Sequence, residues 1–349
     1  MRTERIHLHI GAEKTGTTTI QRTLEKARPE LAAHGVLFPK TPGAFNHIAL
    51  TAYGLDDERG IEEMRVIAGI AEPAGLPDFR ARLRDDLAAE IEASGAHTVI
   101  LSNEHMSSRL LRRREVVRLR KLLASLAREI RVVMYIREPV SYFESWYSTA
   151  VASGATWSFP DPLPPSLLRT ADWAAITQRW ASVFGDEALI LRRMEDGHYA
   201  GGDLVADFFA AAGLEGFSPP RIERRNESLS RRSLLFLRGM NAHLPRMSDG
   251  RMNEARAGLI PALRRWQGPD RFRIGDAQAA EIAAHYEPSY QWLQARYFPD
   301  SPGPLFRPRE GSGASGDPGG DELTPSDIYA LAAHLWKNRT DVAQPRRKP

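Results

Sequence analysis

The chain has 349 residues, of which 42 % are hydrophobic and 26 % charged, proportions typical of a soluble globular protein. Its net charge of +3 is too small to indicate a nucleic-acid-binding protein, although the pI is about 9.2. The absence of cysteine excludes disulfides, thiolate metal sites and a cysteine nucleophile. No apolar run reaches the roughly 18 residues of a membrane span, and the N-terminal run is too short for a signal peptide. We therefore expect a cytoplasmic protein without a transmembrane segment.

The first elements in chain order are a strand, a Gly/Thr-rich turn and a helix. Residues 6–10 alternate apolar and histidine side chains, as in a strand, and residues 19–34 have helical spacing. Pro29 is expected to divide this helical stretch in two. Residues 36–39 resemble a brief strand, and residues 77–95 form an amphipathic helical pattern.

The middle of the chain continues this alternation of strands and helices. The β-branched runs at 98–101 and 131–136 have the pattern of strands that are buried on both faces. Strands alternating with helices predict an α/β fold, with a central, mostly parallel sheet covered on both faces. The remaining predicted elements of this part are helices at 108–128, 140–152 and 171–184 and a short strand at 188–191.

The C-terminal part is predicted to be mainly helical from about residue 200. Residues 301–323 are rich in proline and glycine, which predicts a flexible linker. This linker would join a domain of residues 1–300 to a C-terminal helix and tail, residues 324–349. Thr324 and Pro325 suit the N-cap and the first position of that last helix. The predicted helices lie near 202–213, 228–243, 253–265, 276–298 and 324–338.

The turn after the first strand, Gly11-Ala12-Glu13-Lys14-Thr15-Gly16-Thr17-Thr18, has the composition of an anion site. Where a strand meets a helix, unpaired backbone N–H groups and the helix dipole favour a phosphate, and glycine lets the backbone curl around it. Lys14 adds a cation. The residues that we predict to bind the phosphate group here are Lys14, Thr15, Gly16, Thr17 and Thr18.

This loop is not a Walker A motif, in which Lys-Ser/Thr directly follows the second glycine, and a GxGxxG is absent. The order Lys14-Thr15-Gly16-Thr17-Thr18 resembles instead the 5′-phosphosulfate loop of sulfotransferases, usually Pro-Lys-Ser-Gly-Thr-Thr. Glu13 stands where that loop has proline, and Thr15 where it has serine.

A second segment resembles the 3′-phosphate motif of the same family. Arg137 ends a predicted buried strand, Glu138-Pro139 follows, and Ser145 lies eight residues after the arginine on the next helix. Arginine offers a bidentate, charge-assisted contact to phosphate, and serine a neutral donor. The resemblance implies that Arg137 and Ser145 grip the 3′-phosphate of the donor.

The chain also departs from the cytosolic members of the family. Thr19 occupies the place of their tryptophan after the Thr-Thr pair, and their C-terminal Arg-Lys-Gly loop is missing as such. The segment 224–228, with Arg225 as the phosphate ligand, is a candidate replacement, and a solvated basic cluster is the alternative. Asn-x-Ser segments of this kind make the chain resemble bacterial sulfotransferase-like proteins more closely.

Transfer of a sulfuryl group to a hydroxyl, the reaction of sulfotransferases, needs a cation at the leaving group and a base for the acceptor proton. Lys14 is the predicted cation. Residues just beyond the carboxyl end of a central strand face the crevice of an open α/β sheet. The resemblance implies a Glu or His base at a comparable place, often Glu in bacterial members, so Glu104 is the predicted base and His105 the second candidate. A carboxylate that only stabilises a helix dipole is the structural alternative for Glu104. His47 is a candidate for the wall of the acceptor site.

The resemblance implies a P-loop-type three-layer fold and a sulfotransferase. Its co-substrate would be 3′-phosphoadenosine 5′-phosphosulfate, and we expect its acceptor to be a hydroxyl of a carbohydrate or glycolipid. The resemblance also implies that no divalent metal is needed. A kinase-like phosphotransferase using ATP and Mg²⁺ is the alternative, against which the position of Lys14 and the Arg137/Ser145 pair argue. A non-catalytic nucleotide-binding protein is a third reading, disfavoured by Glu104 and His105.

Overall fold

The computed structural model of the protein describes residues 2–220, 229–248, 251–256, 258–266, 271–309 and 322–338. Arg225 and its segment 224–228 lie outside the described residues. So do residues 310–321, most of the predicted linker, and residues 339–349, most of the predicted tail.

A five-stranded parallel sheet with strand order β2-β3-β1-β4-β5 forms the centre of the fold. This sheet, flanked by helices, confirms the predicted α/β class. A two-stranded antiparallel hairpin, β6-β7, was not anticipated from the sequence. The strands are β1 (Thr3–His9), β2 (Val36–Leu37), β3 (Thr98–Ser102), β4 (Ala127–Ile136), β5 (Leu189–Arg193), β6 (Met247–Ser248) and β7 (Arg251–Met252).

The central strands are buried on both faces because helices cover the sheet. Every residue of β3 is buried, and so are the last four residues of β1 and the last five of β4. A parallel sheet is stable in water only under such cover, since both of its faces are apolar. This is why runs of β-branched residues predicted the strands correctly.

The predicted helices are present, with bounds that differ by a few residues. The helices are α1 (Thr17–Lys26), α2 (Arg28–Ala33), α3 (Ile48–Gly54), α4 (Glu63–Ile67), α5 (Leu76–Ser94), α6 (His105–Arg109), α7 (Arg113–Leu126), α8 (Pro139–Ala152), α9 (Pro165–Leu168), α10 (Trp173–Phe184), α11 (Leu204–Ala211), α12 (Arg231–Asn241), α13 (Leu259–Arg265), α14 (Asp276–Tyr297) and α15 (Pro325–Lys337). Short 3₁₀ turns occupy 57–59, 73–75, 169–171, 186–188, 200–202 and 254–256.

Local signals account for several helix ends. Pro29 lies in the first turn of α2 and separates it from α1, as predicted. Thr324 caps α15 by accepting the N–H of Asp327, whose carboxylate returns to Thr324 in a capping box. The short helices α3 and α4 lack a clear apolar period and were not predicted.

The chain divides into two compact units. The first comprises Met1–Glu138, Asp172–Glu223 and Ser289–Phe306 and holds the parallel sheet. Its core packs α1, α2 and α11 against the sheet through Ile20, Leu24, Ile100, Val133 and Phe208. The second comprises Pro139–Ala171, Arg224–Pro288 and Arg307–Pro349. In that unit the buried Glu144 accepts hydrogen bonds from Arg273, Arg309 and the backbone of Ile274.

None of the helices in the described part of the chain is long and apolar enough to cross a lipid bilayer.

Candidate active site

Three chain segments meet at the carboxyl edge of the sheet in the first unit. Strand β1 lies between β3 and β4, so the turn that follows β1 is flanked by the residues after β3 and after β4. Backbone hydrogen bonds continue beyond the strands, from the N–H of Asn103 to the carbonyl of His9 and from the N–H of Ile10 to that of Val133, each 3.0 Å long. This edge is where open α/β sheets bind ligands.

The loop from Gly11 to Gly16 has three residues in the left-handed region of the backbone map. The φ angles are 59° at Gly11, 67° at Lys14 and 77° at Gly16. Glycine adopts such angles at little cost, but for a lysine they are uncommon and mark a constrained, often functional, position. These turns curl the backbone into the N-terminus of α1, which begins at Thr17.

Hydrogen bonds inside the loop hold its shape. The Thr15 hydroxyl donates to the carbonyl of Ala12 over 2.7 Å, and the Thr15 N–H reaches the same oxygen over 3.3 Å. Thr15 is fully buried, so its hydroxyl shapes the loop from within. Thr17 and Thr18 are the first residues of α1, where N–H groups have no partner in the helix and are suited to bind an anion.

Arg137 braces this loop from the end of β4. Its Nη1 donates to the carbonyl oxygen of Lys14 over 2.9 Å, which stabilises the lysine in its left-handed conformation. The indole N–H of Trp173 in turn donates to the carbonyl of Arg137 over 2.7 Å. The guanidinium of Arg137 is therefore held against the loop that carries Lys14. Ser145, the predicted partner of Arg137, lies on α8 in the second unit, and its pairing stays a prediction.

Glu104 lies beside the start of the loop. A Cβ atom added to Gly11 would be 2.9 Å from the Cα of Glu104 and 2.7 Å from the Thr17 methyl group. Glu104 precedes α6, but its side chain caps none of the N–H groups of that helix. The carboxylate accepts instead from Gln21 over 2.7 Å and from Asn46 over 3.3 and 3.4 Å. The alternative of a carboxylate that serves only the helix terminus is therefore disfavoured.

His105 pairs with Glu13, the residue that stands where the sulfotransferase loop has proline. The two side chains approach to 3.3 Å between Nδ1 and Oε1, and the Ser108 hydroxyl donates to the same oxygen over 2.9 Å. Burial alone would lower the pKa of His105, but the hydrogen bond to Glu13 and the charge of Glu104 raise it. Burial alone would raise the pKa of Glu13, which His105, Ser108 and Arg109 hold below its ordinary value. This pair ties the loop to the end of β3.

The pair predicts a pH-dependent contribution to stability. Because the pKa of His105 is raised in the folded state, its contribution is complete below its ordinary value of 6.5 and is lost as the pH rises through the raised pKa. Because the pKa of Glu13 is lowered, its contribution is present above 4.5 and is lost as the pH falls through the lowered pKa. Glu13→Gln should therefore reduce the free energy of unfolding most near pH 5.5, by up to about 1 kcal/mol.

Denaturant titrations of the wild type and Glu13→Gln from pH 5 to pH 9 measure this difference. It should shrink toward the alkaline end, where His105 is neutral, and level off at the contribution of Ser108 and Arg109. The control is Glu215→Gln, which changes an exposed carboxylate in the turn after α11. A difference between wild type and Glu13→Gln that grows with pH contradicts the pairing.

His47 is fully buried, and backbone groups occupy both of its ring nitrogens. Nδ1 accepts the N–H of Ser102 over 3.1 Å, and Nε2 lies 3.0 Å from the carbonyl of Pro39. Burial lowers the pKa of His47 to about 3. These contacts join the segment after β2 to β3 and favour a structural role over one in the acceptor site. Nowhere in the described ranges do three or more His, Asp or Glu side chains form a cluster that could hold a metal ion.

Solved structures with a similar chain course include a sulfotransferase from Alicyclobacillus acidocaldarius, at 17 % identity and a TM-score of 0.43, over 70 % of this chain and 94 % of that one. The sulfotransferase domain of the Synechococcus PCC 7002 olefin synthase is 10 % identical with a TM-score of 0.34, over 82 % and 95 %. The sulfotransferase domain of the curacin biosynthetic pathway is 14 % identical with a TM-score of 0.32, over 82 % and 97 %.

These structural neighbours are sulfotransferases. No protein-family model matches the chain, and no curated protein sequence matches it. At these identities and TM-scores the similarity is limited to the general course of the backbone, and a functional assignment has to rest on the residues of the site.

Two residues of this site, Gln21 and Asn46, were not anticipated. Gln21 falls four residues after Thr17 and three before Leu24, so it lies on the buried stripe of α1, where a polar side chain needs a partner. The sequence alone therefore indicates that Gln21 has a buried hydrogen-bond partner. Asn46 lies in an irregular segment before α3 and has no such signal.

Proposed function

We propose that this protein transfers a sulfuryl group from 3′-phosphoadenosine 5′-phosphosulfate to an acceptor hydroxyl. One observation carries the proposal: the curled loop of Lys14 at the N-terminus of α1, braced by Arg137, packs directly against Glu104, whose carboxylate accepts a hydrogen bond from Gln21 of the same helix. An anion site next to a carboxylate that can act as general base is the arrangement that group transfer to a hydroxyl requires.

The residues present suit a phosphosulfate group. The space beside Gly11 is filled by Thr17 and Glu104, so the loop packs closely against the residue that follows β3. The left-handed turns at Gly11, Lys14 and Gly16 give the loop the curled backbone whose N–H groups bind anions. Helix α1 directs its N-terminal dipole to this loop, and Lys14 and Arg137 add positive charge. Thr17 and Thr18 supply N–H groups at the first turn.

The nucleotide donor would supply the activated sulfuryl group. In the reaction the bond between sulfur and the 5′-phosphate oxygen breaks, and a bond between sulfur and the acceptor oxygen forms. Glu104 takes the proton of the acceptor hydroxyl, and Lys14 stabilises the charge that develops on the leaving phosphate oxygen. The products are 3′-phosphoadenosine 5′-phosphate and a sulfate ester.

Glu104 is preferred to His105 as the base. The raised pKa of His105 and its contact with Glu13 favour an imidazolium that holds the loop, and an imidazolium cannot accept a proton. Among the described residues, the hydrogen bonds that the Glu104 carboxylate receives come from the neutral amides of Gln21 and Asn46. Arg137 and Ser145 remain the proposed ligands of the 3′-phosphate.

The proposed acceptor is a carbohydrate or glycolipid. A cavity of about 510 Å³ opens between the segment after β2 and the first half of α5. Because α5 leads into a parallel strand, it runs opposite to the strands, and its first half lies toward the carboxyl edge of the sheet. The lining combines Ile70, Phe79 and Leu83 with Arg82 and Asp86, which suits a ligand with both apolar and hydroxylated faces.

Calorimetry and transfer assays test the proposed function together. Titration with 3′-phosphoadenosine 5′-phosphate should show metal-independent binding, which Arg137→Ala weakens by about 10-fold or more because a charge-assisted contact is lost. Radiolabelled donor should transfer sulfate to members of a panel of pyranosides and phenols. Arg2→Ala, at an exposed arginine of the N-terminus, is the control for loss of positive charge alone.

Two outcomes would contradict the proposal. Preferential binding of ATP with Mg²⁺ would favour the kinase-like alternative. Binding of the bisphosphate without transfer to any acceptor of the panel would favour a nucleotide-binding protein that is not an enzyme.

A further inference from the structure

The carboxylate of Glu104 is held from two sides by side-chain amides. Nε2 of Gln21, on α1, donates to Oε2 over 2.7 Å. Nδ2 of Asn46, from the segment before α3, lies 3.3 Å from Oε2 and 3.4 Å from Oε1. Both amides can only donate through these nitrogens, so they stabilise the carboxylate without neutralising its charge.

Asn46 is itself fixed by neighbouring residues. Its Oδ1 accepts a hydrogen bond from Nδ2 of Asn103, the residue before Glu104. The Oδ1 of Asn103 accepts from the Thr51 hydroxyl over 2.7 Å and from the N–H of His105 over 3.0 Å. Asn103 and Thr51 are fully buried, so these amide orientations are determined by partners and not by solvent.

Gln21 is fixed in the same way on the other side. Only 1 % of its surface is exposed, and its Nε2 also lies 3.3 Å from the hydroxyl oxygen of Ser102. That hydroxyl lies 2.8 Å from Nδ1 of the fully buried His9. Burial lowers the pKa of His9 to about 3, so its ring is neutral and adds no charge to the network. The chain of contacts runs from β1 through β3 and α1 to the carboxylate.

We propose that Gln21 and Asn46 are positioning residues that hold the Glu104 carboxylate beside the anion loop with Oε1 turned to the acceptor. Within the part of the chain that the structure describes, Oε2 receives the 2.7 Å contact from Gln21 and the 3.3 Å contact from Asn46, whereas Oε1 receives the 3.4 Å contact alone. Oε1 therefore keeps more of its lone-pair capacity for the acceptor proton. The catalytic part of this inference rests on the proposed function, but the orientation of Glu104 does not.

Crystal structures of the wild type and of Gln21→Met test the orientation. Methionine fills a similar volume but cannot donate to Oε2, so the carboxylate should move by about 1 Å or more. Asn46→Ala is a second variant that removes the other amide at a less buried position, and it keeps the test available if Gln21→Met does not fold. A carboxylate that keeps its place in both variants overturns the proposal.

Turnover tests the consequence. With the best acceptor of the panel, Gln21→Met should lower kcat roughly 100-fold, the order of loss that a 1 Å displacement causes. The acceptor KM and the affinity for 3′-phosphoadenosine 5′-phosphate should stay unchanged, whereas general damage to the fold would alter all three. Gln178→Met, the same exchange at an exposed position of α10, should alter none of them.

The two measurements separate this inference from the proposed function. Displacement of the carboxylate in the variants supports the positioning role even if the wild type transfers no sulfate, an outcome that contradicts only the proposed function. A displaced carboxylate with unchanged kcat overturns the claim that its position matters for catalysis.

Discussion

Glu104→Gln is expected to lower sulfate transfer by roughly 10²- to 10⁴-fold, the usual contribution of a general base. The amide has nearly the shape of the carboxylate but cannot take up the acceptor proton. Because the amides of Gln21 and Asn46 can donate to the glutamine oxygen as they do to the carboxylate, the loop should keep its place, and the affinity for 3′-phosphoadenosine 5′-phosphate should remain that of the wild type. Steady-state rates with labelled donor and calorimetric titration of the bisphosphate measure the two effects.

The matched control for this variant is Glu92→Gln, the same exchange on an exposed part of α5, which should leave both quantities unchanged. An unchanged rate in Glu104→Gln would remove Glu104 from the mechanism. It would leave the anion loop and the donor untouched, since that part of the proposal rests on other residues.

Gly11→Ala is expected to abolish measurable binding of 3′-phosphoadenosine 5′-phosphate and to destabilise the fold. The new Cβ would lie 2.7 Å from the Thr17 methyl group and 2.9 and 3.0 Å from Cα and Cβ of Glu104. A backbone atom and the first side-chain atom cannot rotate away, so the loop itself must shift. The φ of 59° adds a cost of about 1–2 kcal/mol for any residue with a Cβ, and the overpacking a further 1–3 kcal/mol.

Gly95→Ala separates the cost of the left-handed backbone angle from the cost of overpacking. Gly95 ends α5 with a φ of 63°, and a Cβ there would have no neighbour within 4 Å. This control should lose only about 1–2 kcal/mol of unfolding free energy and bind the nucleotide normally. If Gly11→Ala behaves like Gly95→Ala in denaturant and calorimetric titrations, the loop is not the tight cradle that we describe.

Much of the fold follows from local patterns in the sequence. The β-branched runs at 98–101 and 131–136 became buried strands, because helices on both faces of a parallel sheet demand apolar residues at every position. The turn after β1 was predicted from its glycines and Lys14, since a strand followed by such residues and a helix leaves few other conformations. The position of Glu104 near this loop followed from the rule that parallel strands end at one edge.

Other features depend on contacts between distant parts of the chain. The contacts that hold Glu104 join residues 83 and 58 positions apart, and the pair of Glu13 and His105 spans 92. Neither hydrophobic periodicity nor secondary-structure propensity predicts a contact between residues so far apart in the chain. His47 illustrates the same limit, because a histidine next to an irregular segment has the same sequence signature whether it faces a ligand or the backbone of Ser102.

By itself, therefore, the sequence determined the strand–loop–helix unit of Gly11 to Thr18 and the parallel sheet around it, because both arise from neighbouring residues and from burial on two faces. Only the tertiary structure decided that Arg137 supports the Lys14 carbonyl and that Gln21 and Asn46 donate hydrogen bonds to Glu104. The physical reason is that a side-chain hydrogen bond depends on distance and direction in space, which the packing of helices on the sheet creates.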